Sequence, residues 1–168
     1  MCGCDSAHNQ SVMKRYDAPW SNTLIVLSIL ATCVCLFVGY LATTHVDDKH
    51  DWIGLLPVGL IPACALFVIR GYSIEPNEIL VHRLLWTTRL PRAELESARY
   101  EVDAMKWSLR LCGNGGFYSF TGLYRNKLLG NYRAFVTDPR RSVVLKYPKR
   151  TIVLSPANPE VFVEELGA

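Results

Sequence analysis

Two long segments without any charged side chain limit how this chain can fold. They are residues 24–42, LIVLSILATCVCLFVGYLA, and residues 52–69, WIGLLPVGLIPACALFVI. An α-helix rises about 1.5 Å per residue, so each segment comes close to the roughly 30 Å hydrocarbon core of a bilayer. Because lipid offers the backbone no hydrogen-bond partners, we expect both segments to be helices. The sequence therefore predicts a helical hairpin in a membrane, with spans at about 23–42 and 52–70 and an outside loop at 43–51.

Two other interpretations of these segments are weaker. A buried helix of a soluble domain rarely continues for so long without a polar face. A cleavable signal peptide usually has a shorter apolar region, of about 7–15 residues, and its apolar region begins nearer the amino terminus. In addition, Trp20, Tyr40, Trp52 and Tyr72 flank the two segments, as aromatic residues do at a membrane–water interface. A membrane anchor is therefore the prediction.

Basic residues around the two segments predict their orientation. Lys14 and Arg15 precede the first segment and Arg70 follows the second, whereas the loop between them carries only Lys49. Lys and Arg are enriched on the cytoplasmic side of membrane spans. We therefore expect a multi-pass protein of the inner (plasma) membrane with both termini in the cytoplasm. Its parts would be a tail at residues 1–21, a hairpin at 22–70 and a domain at 71–168.

Two groups of candidate metal ligands lie outside the apolar segments. The amino terminus holds Cys2 and Cys4, and the loop holds His45, Asp47, Asp48, His50 and Asp51. No further Cys or His completes a zinc set with the two cysteines. A short segment that reverses the chain between two helices is usually polar because it is solvated. We predict no metal site and no cofactor, and metal binding by either group stays open as the alternative.

From Tyr72 onward, long apolar runs give way to short alternating segments separated by turns. Stretches such as YSIEPNEILVHR, LLWTTRL and SVVLKY favour β-strands, and Pro and Gly mark the turns between them. The ending NPEVFVEEL predicts an amphipathic helix with Asn158 as its N-cap and Pro159 as its first residue. The pattern predicts an all-β barrel of about seven strands that is capped by a C-terminal α-helix.

Residues 72–167 resemble the bacterial pleckstrin-homology (PH) domain family. Leu90-Pro91 and Leu95 are similar to a turn that follows the family's opening strands. The other matching features are Gly113, Gly115–Gly116, Gly122, Tyr124-Arg125-Asn126, Gly130, Thr137, Ser155-Pro156, Pro159, Phe162 and Leu166. The resemblance implies a PH-like barrel of the kind that commonly follows membrane spans. It implies no particular ligand.

The sequence contains no pattern that indicates an enzyme. His82 is the only histidine outside the tail and the loop, and no order of Ser, His and Asp and no carboxylate pair stands out. Nucleic-acid binding is not expected either, because the aromatic residues alternate as core residues do. We predict a non-catalytic, membrane-anchored interaction module that binds a protein partner or associates with itself.

Basic turns define an alternative function. Over residues 70–168, 15 Lys and Arg stand against 10 Asp and Glu, and the net charge of the whole chain is +3. The turn EPNE is acidic where eukaryotic relatives hold inositol phosphates, so those ligands are not expected. A domain tethered beneath an anionic leaflet gains about 1 kcal/mol for each basic residue near its surface. The alternative is therefore a binder or sensor of anionic inner-leaflet lipid through Arg125, Lys127, Arg140, Arg141, Lys146, Lys149 and Arg150.

Overall fold

A computed structural model describes residues 14–45 and 51–167 of the chain. The first part contains strand β1 (Lys14–Asp17) and helix α1 (Asn22–His45), and the second begins with helix α2 (Asp51–Ala65). Nine strands and a last helix follow: β2 (Ile69–Ile74), β3 (Glu78–Arg83), β4 (Thr87–Pro91), β5 (Ser97–Tyr100), β6 (Leu109–Gly115), β7 (Phe120–Asn126), β8 (Gly130–Val136), β9 (Val143–Tyr147), β10 (Arg150–Leu154) and α3 (Pro159–Leu166).

Only one helix in the described residues is long and apolar enough to cross a membrane. It is α1, with a candidate span at Asn22–Thr44. Helix α2 has 15 residues and a length of about 22 Å, well below the roughly 30 Å that a hydrocarbon core requires. The prediction of two complete spans, and with it a multi-pass topology, is therefore not supported.

The predicted second span, residues 52–70, is wrong at its carboxyl end. Helix α2 contains Pro57 and Pro62, which remove two backbone donors, and it ends at Ala65. The chain then turns: the Phe67 amide donates to the Cys64 carbonyl and the Val68 amide donates to the Ala65 carbonyl. Ile69 already pairs with Arg83 of β3. Residues 69 and 70, which the sequence pattern predicts as the end of the second span, therefore belong to strand β2.

The strands form two sheets. The first sheet has the order β1-β2-β3-β4, and the second has the order β5-β9-β10-β8-β7-β6. Neighbouring strands are antiparallel except for β8 and β10, which run parallel with Tyr132 opposite Thr151 and Phe135 opposite Leu154. We call the two sheets together with α3 the β domain.

The core of the β domain lies between the two sheets and beneath α3. Tyr72, Phe135, Leu145 and Phe162 are all fully buried in this cluster. A second cluster, around Tyr132 and Ala104, covers the opposite face of the six-stranded sheet. The predicted all-β domain with a C-terminal helix is confirmed in this form. The described residues contain more than seven strands, however, and Leu84–Trp86, predicted as strand, form the turn between β3 and β4.

Strand β1 belongs to the β domain although it precedes the two helices. It pairs antiparallel with β2, with Tyr16 opposite Tyr72 and Asp17 opposite Gly71. The Tyr16 ring is 5% exposed and meets the Phe162 ring of α3 edge-on at 5.0 Å between centroids. The predicted tail at residues 1–21 therefore includes a strand, since residues 14–17 are part of the first sheet. The β domain is therefore built from chain on both sides of α1 and α2.

Candidate functional site at the helix–sheet junction

The first three turns of α1 lie against the turn between β6 and β7, residues 116–119. Ser28 is buried, and its hydroxyl donates to the Gly116 carbonyl at 3.4 Å and accepts from the Tyr118 amide at 3.0 Å. One turn further along α1, the Thr32 hydroxyl lies 3.0 Å from the Tyr118 hydroxyl. Tyr118 has a φ of 65°, which a non-glycine residue adopts only where its surroundings hold it. The helix is thus bound side-on to the sheet.

The chain just after α2 contacts the same turn between β6 and β7. The hydroxyl of Ser119 donates to the Phe67 carbonyl at 3.2 Å, and the Phe67 ring meets the Trp86 ring edge-on at 5.3 Å. Trp86 belongs to the turn Leu84–Trp86, whose three side chains are exposed, Leu85 by 72%. We call residues 84–86 and 116–119 the junction turns. They form an apolar and aromatic rim around the helices where these leave the β domain.

Arg83 is the most unusual side chain at this junction. It is 8% exposed, and its guanidinium lies 5.0 Å from the centre of the Phe135 ring, 5.4 Å from that of Trp86 and 5.7 Å from that of Phe67. Within residues 14–45 and 51–167 its side chain has no ion pair, and its Nε is buried without a hydrogen-bond partner. Burial, and then the charge of Arg133, lower the pKa of Arg83. Arg83 is therefore a buried cation with at least one N–H donor, on Nε, that no described residue satisfies.

A cavity of about 610 Å³ opens beside Arg83. Phe67 and Cys64 line it from the helices, Arg83 from β3, and Leu123 and Arg133 from the six-stranded sheet. The guanidinium of Arg133 lies 5.2 Å from the centre of the same Phe135 ring that Arg83 contacts. The cavity therefore combines apolar walls with two cations, and its described lining contains no acidic residue.

Two glycines shape the floor of this cavity. Gly113 and Gly122 face each other across β6 and β7 with φ of 112° and 146°. A Cβ atom on Gly122 would lie 2.1 Å from the Cys112 carbonyl oxygen, and one on Gly113 would lie 2.3 Å from that of Thr121. The two strands therefore approach more closely than any side chain permits. Gly122 as a bend was visible in the sequence pattern, but its pairing with Gly113 was not.

Two buried polar clusters near the junction hold strands together. The Tyr72 hydroxyl donates to the Phe135 carbonyl at 2.7 Å, and burial raises its pKa to about 12, so it stays protonated. His82 Nε2 lies 2.7 Å from the Ser73 hydroxyl, and burial, followed by the charge of Arg15, lowers the pKa of His82. Ser73 is fully buried and out of reach of a substrate. The Tyr72 cluster links the two sheets, and the Ser73–His82 contact links the neighbouring strands β2 and β3.

The seven basic residues predicted to bind lipid fall into two groups. Arg125 pairs with Asn131 at the end of β7 that is remote from the junction turns, about 20 Å along the strand from Ser119. The parallel alignment of β10 with β8 places the β9–β10 turn at this same end, which we call the far end. It therefore carries Arg125, Lys127, Lys146, Lys149 and Arg150.

Arg140 and Arg141 lie apart from the other five, in a short 3-10 helix after β8. Arg141 pairs with Asp138 at 3.5 Å and donates to the Ala157 carbonyl. Thr137, one residue before Asp138, accepts from the Ser21 amide at the start of α1 at 3.2 Å. The seven residues do not form one surface, and their lipid-binding role stays a prediction.

Sequence reasoning missed Arg83 as a site residue. The signal was present, because residues two apart in a strand share a face and Ile79 and Val81, both fully buried, precede Arg83 on the same face of β3. Cys2, Cys4 and most of the loop His45–Asp51 lie outside the described residues. Among the residues that are described, no group of three or more His, Cys, Asp or Glu could hold a metal, and Cys33, Cys35, Cys64 and Cys112 are free thiols.

Two sheets that share one core, closed by a C-terminal helix, define a small β-sandwich domain. The model of the bacterial PH domain matches residues 70–168, which is more than half of the chain. The chain therefore belongs to the bacterial PH domain family, as its glycine pattern and its ending indicated. No curated protein and no solved structure matches it. Domains of this kind are generally non-catalytic interaction modules.

Proposed function

We propose that the protein is a membrane-anchored, non-catalytic interaction module in which α1 and α2 hold the β domain against the bilayer. The observation that carries this proposal is the pairing of β1 with β2. Strands before and after the two helices share one sheet, so both must lie on the same side of any membrane that α1 enters. Removal of α1 as a signal sequence would also remove β1 from the sheet. Lys14 and Arg15 support the cytoplasmic side.

The lengths of the helices support a close approach of the β domain to the lipid. Thr32 still contacts Tyr118, and the part of α1 beyond Thr32 is about 20 Å long, as is α2. Both lengths are shorter than the roughly 30 Å hydrocarbon core. A helix pair of this length reaches deep into the bilayer only if the junction turns enter the interfacial layer. The exposed Leu85, Trp86 and Trp20 suit that layer.

Extraction of the full chain from native membranes tests the anchor. We expect it to remain in the membrane pellet after an alkaline carbonate wash and to enter solution only with detergent. Val34→Arg combined with Phe37→Arg should weaken this retention, because both side chains project from α1 and each arginine costs about 3 kcal/mol in a bilayer. Leu128→Arg at the far end is the matched control and should behave as the wild type. Release of the wild-type chain by carbonate alone would contradict the proposal.

The far end supports the binding of a protein partner. Trp107 is 89% exposed, has a φ of 54° and lies with the exposed Leu128 beside a cavity lined by Lys106 and Lys127. The Asn126 amide holds this loop in place by donating to the Ala104 carbonyl at 2.7 Å. An exposed Trp on an ordered loop is typical of the aromatic anchors that dominate protein interfaces. We infer that an apolar partner surface, or a second copy of the chain, binds here.

Photo-crosslinking in native membranes tests this surface. A photoreactive residue at position 107 should give a discrete protein adduct, and a band of twice the chain mass would identify self-association. The same residue at Arg89, exposed on β4 in the other sheet, is the control and should give none. Equal labelling at both positions, or none at 107, would remove the far end as the partner surface.

A further inference from the structure

Among the described residues, Arg83 has no anionic partner, and its Nε has no hydrogen-bond acceptor. A buried charge is costly unless it is paired and hydrogen-bonded. The three ring contacts of the Arg83 guanidinium offset part of this cost, but they act on the faces of the rings and satisfy no N–H donor. A guanidinium carries five such donors and stays charged at any physiological pH. Phe67, Phe135 and Trp86 therefore orient the cation without neutralising it.

The cavity beside Arg83 has a polar and an apolar region. Arg83 and Arg133 supply positive charge where both approach the Phe135 ring. Phe67 and Cys64 extend the lining onto the end of α2, and Leu123, 49% exposed, lines it from β7. A ligand that fits both regions has an anionic end and a hydrocarbon part. The volume of the cavity, about 610 Å³, accommodates the headgroup of such a ligand and the first part of its hydrocarbon chains.

We propose that this cavity binds one anionic glycerophospholipid, with its phosphate between Arg83 and Arg133 and its acyl chains directed along α2. Arginine is well suited to phosphate because its planar N–H groups meet two oxygens at once through charge-assisted bonds. The occupant would enter from the bilayer, since Cys64 at the end of α2 and Phe67 just after it form part of the apolar wall. This site is distinct from the basic turns at the far end, none of whose residues line the cavity.

Lipid retention by the purified full chain tests the proposal. The chain in a non-ionic detergent is mixed with dioleoylphosphatidylglycerol or with dioleoylphosphatidylcholine, and native mass spectrometry counts the lipids that stay bound. We expect one phosphatidylglycerol to be retained where phosphatidylcholine is not. Arg133→Gln and Arg83→Gln should each weaken that binding at least tenfold. Arg125→Gln removes the same charge at the far end and should leave it unchanged.

Each other outcome has a definite meaning. Wild-type affinity in both cavity variants, or an equal loss in Arg125→Gln, would overturn the proposal. Displacement of the lipid by millimolar inorganic phosphate or glycerol 3-phosphate would show a site for free phosphate and would overturn the lipid assignment. If Arg83→Gln alters the melting temperature of the lipid-free chain, the lipid binding of Arg133→Gln, a change at an exposed position, is the measurement that tests the proposal. The site rests on the proposed membrane anchoring, but the assay is done in detergent and so fails or succeeds independently of the carbonate extraction.

Discussion

Several single residues in the β domain have a backbone conformation or a degree of burial that is unusual for their residue type. Tyr118 and Trp107 both adopt positive φ, but Tyr118 is held by α1 whereas Trp107 faces solvent. Gly113 and Gly122 have no side chain because another backbone occupies that space. Arg83 continues the buried face of β3 although it is charged. At Tyr118, Gly113, Gly122 and Arg83 a local rule is broken, and the neighbouring strand or helix explains why.

Replacement of Gly122 should be far more damaging than replacement of a glycine in open space. Gly122→Ala places a Cβ 2.1 Å from the Cys112 carbonyl oxygen at a φ of 146°, so β6 must move away from β7. We expect a loss of more than about 3 kcal/mol in the free energy of unfolding, from strain and broken strand pairing together. Gly130→Ala has a positive φ but no neighbour within 4 Å, and it should cost only about 1 kcal/mol. Urea unfolding of both variants in detergent measures the difference, and similar losses would contradict the close approach.

Glu165 should make the stability of the β domain depend on acid pH. It accepts from the Tyr16 hydroxyl and pairs with Lys14 at 3.2 Å, and these contacts lower its pKa below the ordinary 4.5. A depressed pKa in the folded state contributes stability above the unfolded value, and that stability is lost as pH falls through the folded value. Glu165→Gln should therefore cost about 1 kcal/mol at pH 7. The difference should vanish well below pH 4.5.

Melting temperatures of wild type and Glu165→Gln between pH 7 and pH 3 check this expectation. Glu164→Gln, at the exposed neighbouring position, is the control and should show little difference at either pH. A Glu165→Gln penalty that is as large at pH 3 as at pH 7 would mean that shape rather than charge links α3 to β1.

At the scale of elements, β1 connects helix α1 to the rest of the β domain. It is only four residues long, yet it fills one edge of the first sheet and buries Tyr16 against α3. Ala157, which follows β10, donates from its amide to the Asp17 carbonyl at 2.9 Å. Together with the Ser28 and Thr32 contacts of α1, these bonds fasten the chain on both sides of the point where it enters the helix. The beginning of α1 is therefore fixed to the β domain and is not a flexible tether.

The β domain should fold without its helices if β1 is kept. We expect a chain in which residues 19–67 are replaced by a short Gly-Ser linker to be soluble and cooperatively folded. The segment 69–168 alone should be less stable by about 3 kcal/mol, because the side of Tyr72 and Phe162 that Tyr16 covers becomes exposed. In the linked chain, Tyr16→Ala should reproduce most of this loss, whereas Lys14→Ala, whose side chain is half exposed, should not. Equal stability with and without β1 would refute its structural role.

At the scale of the whole molecule, the β domain has two unlike ends. The junction turns carry Leu85, Trp86 and the aromatic Phe117–Tyr118 pair around the helices, and Phe117 stacks on Tyr118 at 4.7 Å between ring centres. The far end carries most of the basic turns and Trp107. Under the proposed anchoring, the first end contacts lipid and the second faces the aqueous phase, where a partner can reach it.

Depth-dependent quenching of tryptophan fluorescence should separate the two ends. Two variants of the full chain, each keeping one tryptophan and replacing the others with Phe, are reconstituted in vesicles that contain brominated phosphatidylcholine. We expect strong quenching for the variant that keeps Trp86 and little for the variant that keeps Trp107, because bromine on an acyl chain quenches only nearby indoles. Equal quenching of the two would show that the β domain does not sit on the membrane in the proposed orientation.

Patterns that repeat over many residues were enough to predict the larger elements. The nineteen uncharged residues 24–42 were enough to predict an apolar helix, and alternation followed by NPEVFVEEL was enough to predict strands and a final helix. The positions of the glycines, together with the C-terminal residues from Ser155 to Leu166, were also enough to predict the family. These properties are local, because each residue's preference depends on its chain neighbours.

Tertiary structure alone decided three other features. Strand β1 has too few residues to show a period, and its partner lies more than fifty residues away, so only the closed sheet reveals it. Helix α2 ends at Ala65, and the pairing of Ile69 with Arg83 of β3 places the end of the same apolar segment in a sheet. Arg83 becomes a buried, unpaired cation only because Phe67, Trp86 and Phe135 arrive from three separate segments to enclose it. Contacts between distant segments depend on how the whole chain packs, and no local pattern encodes them.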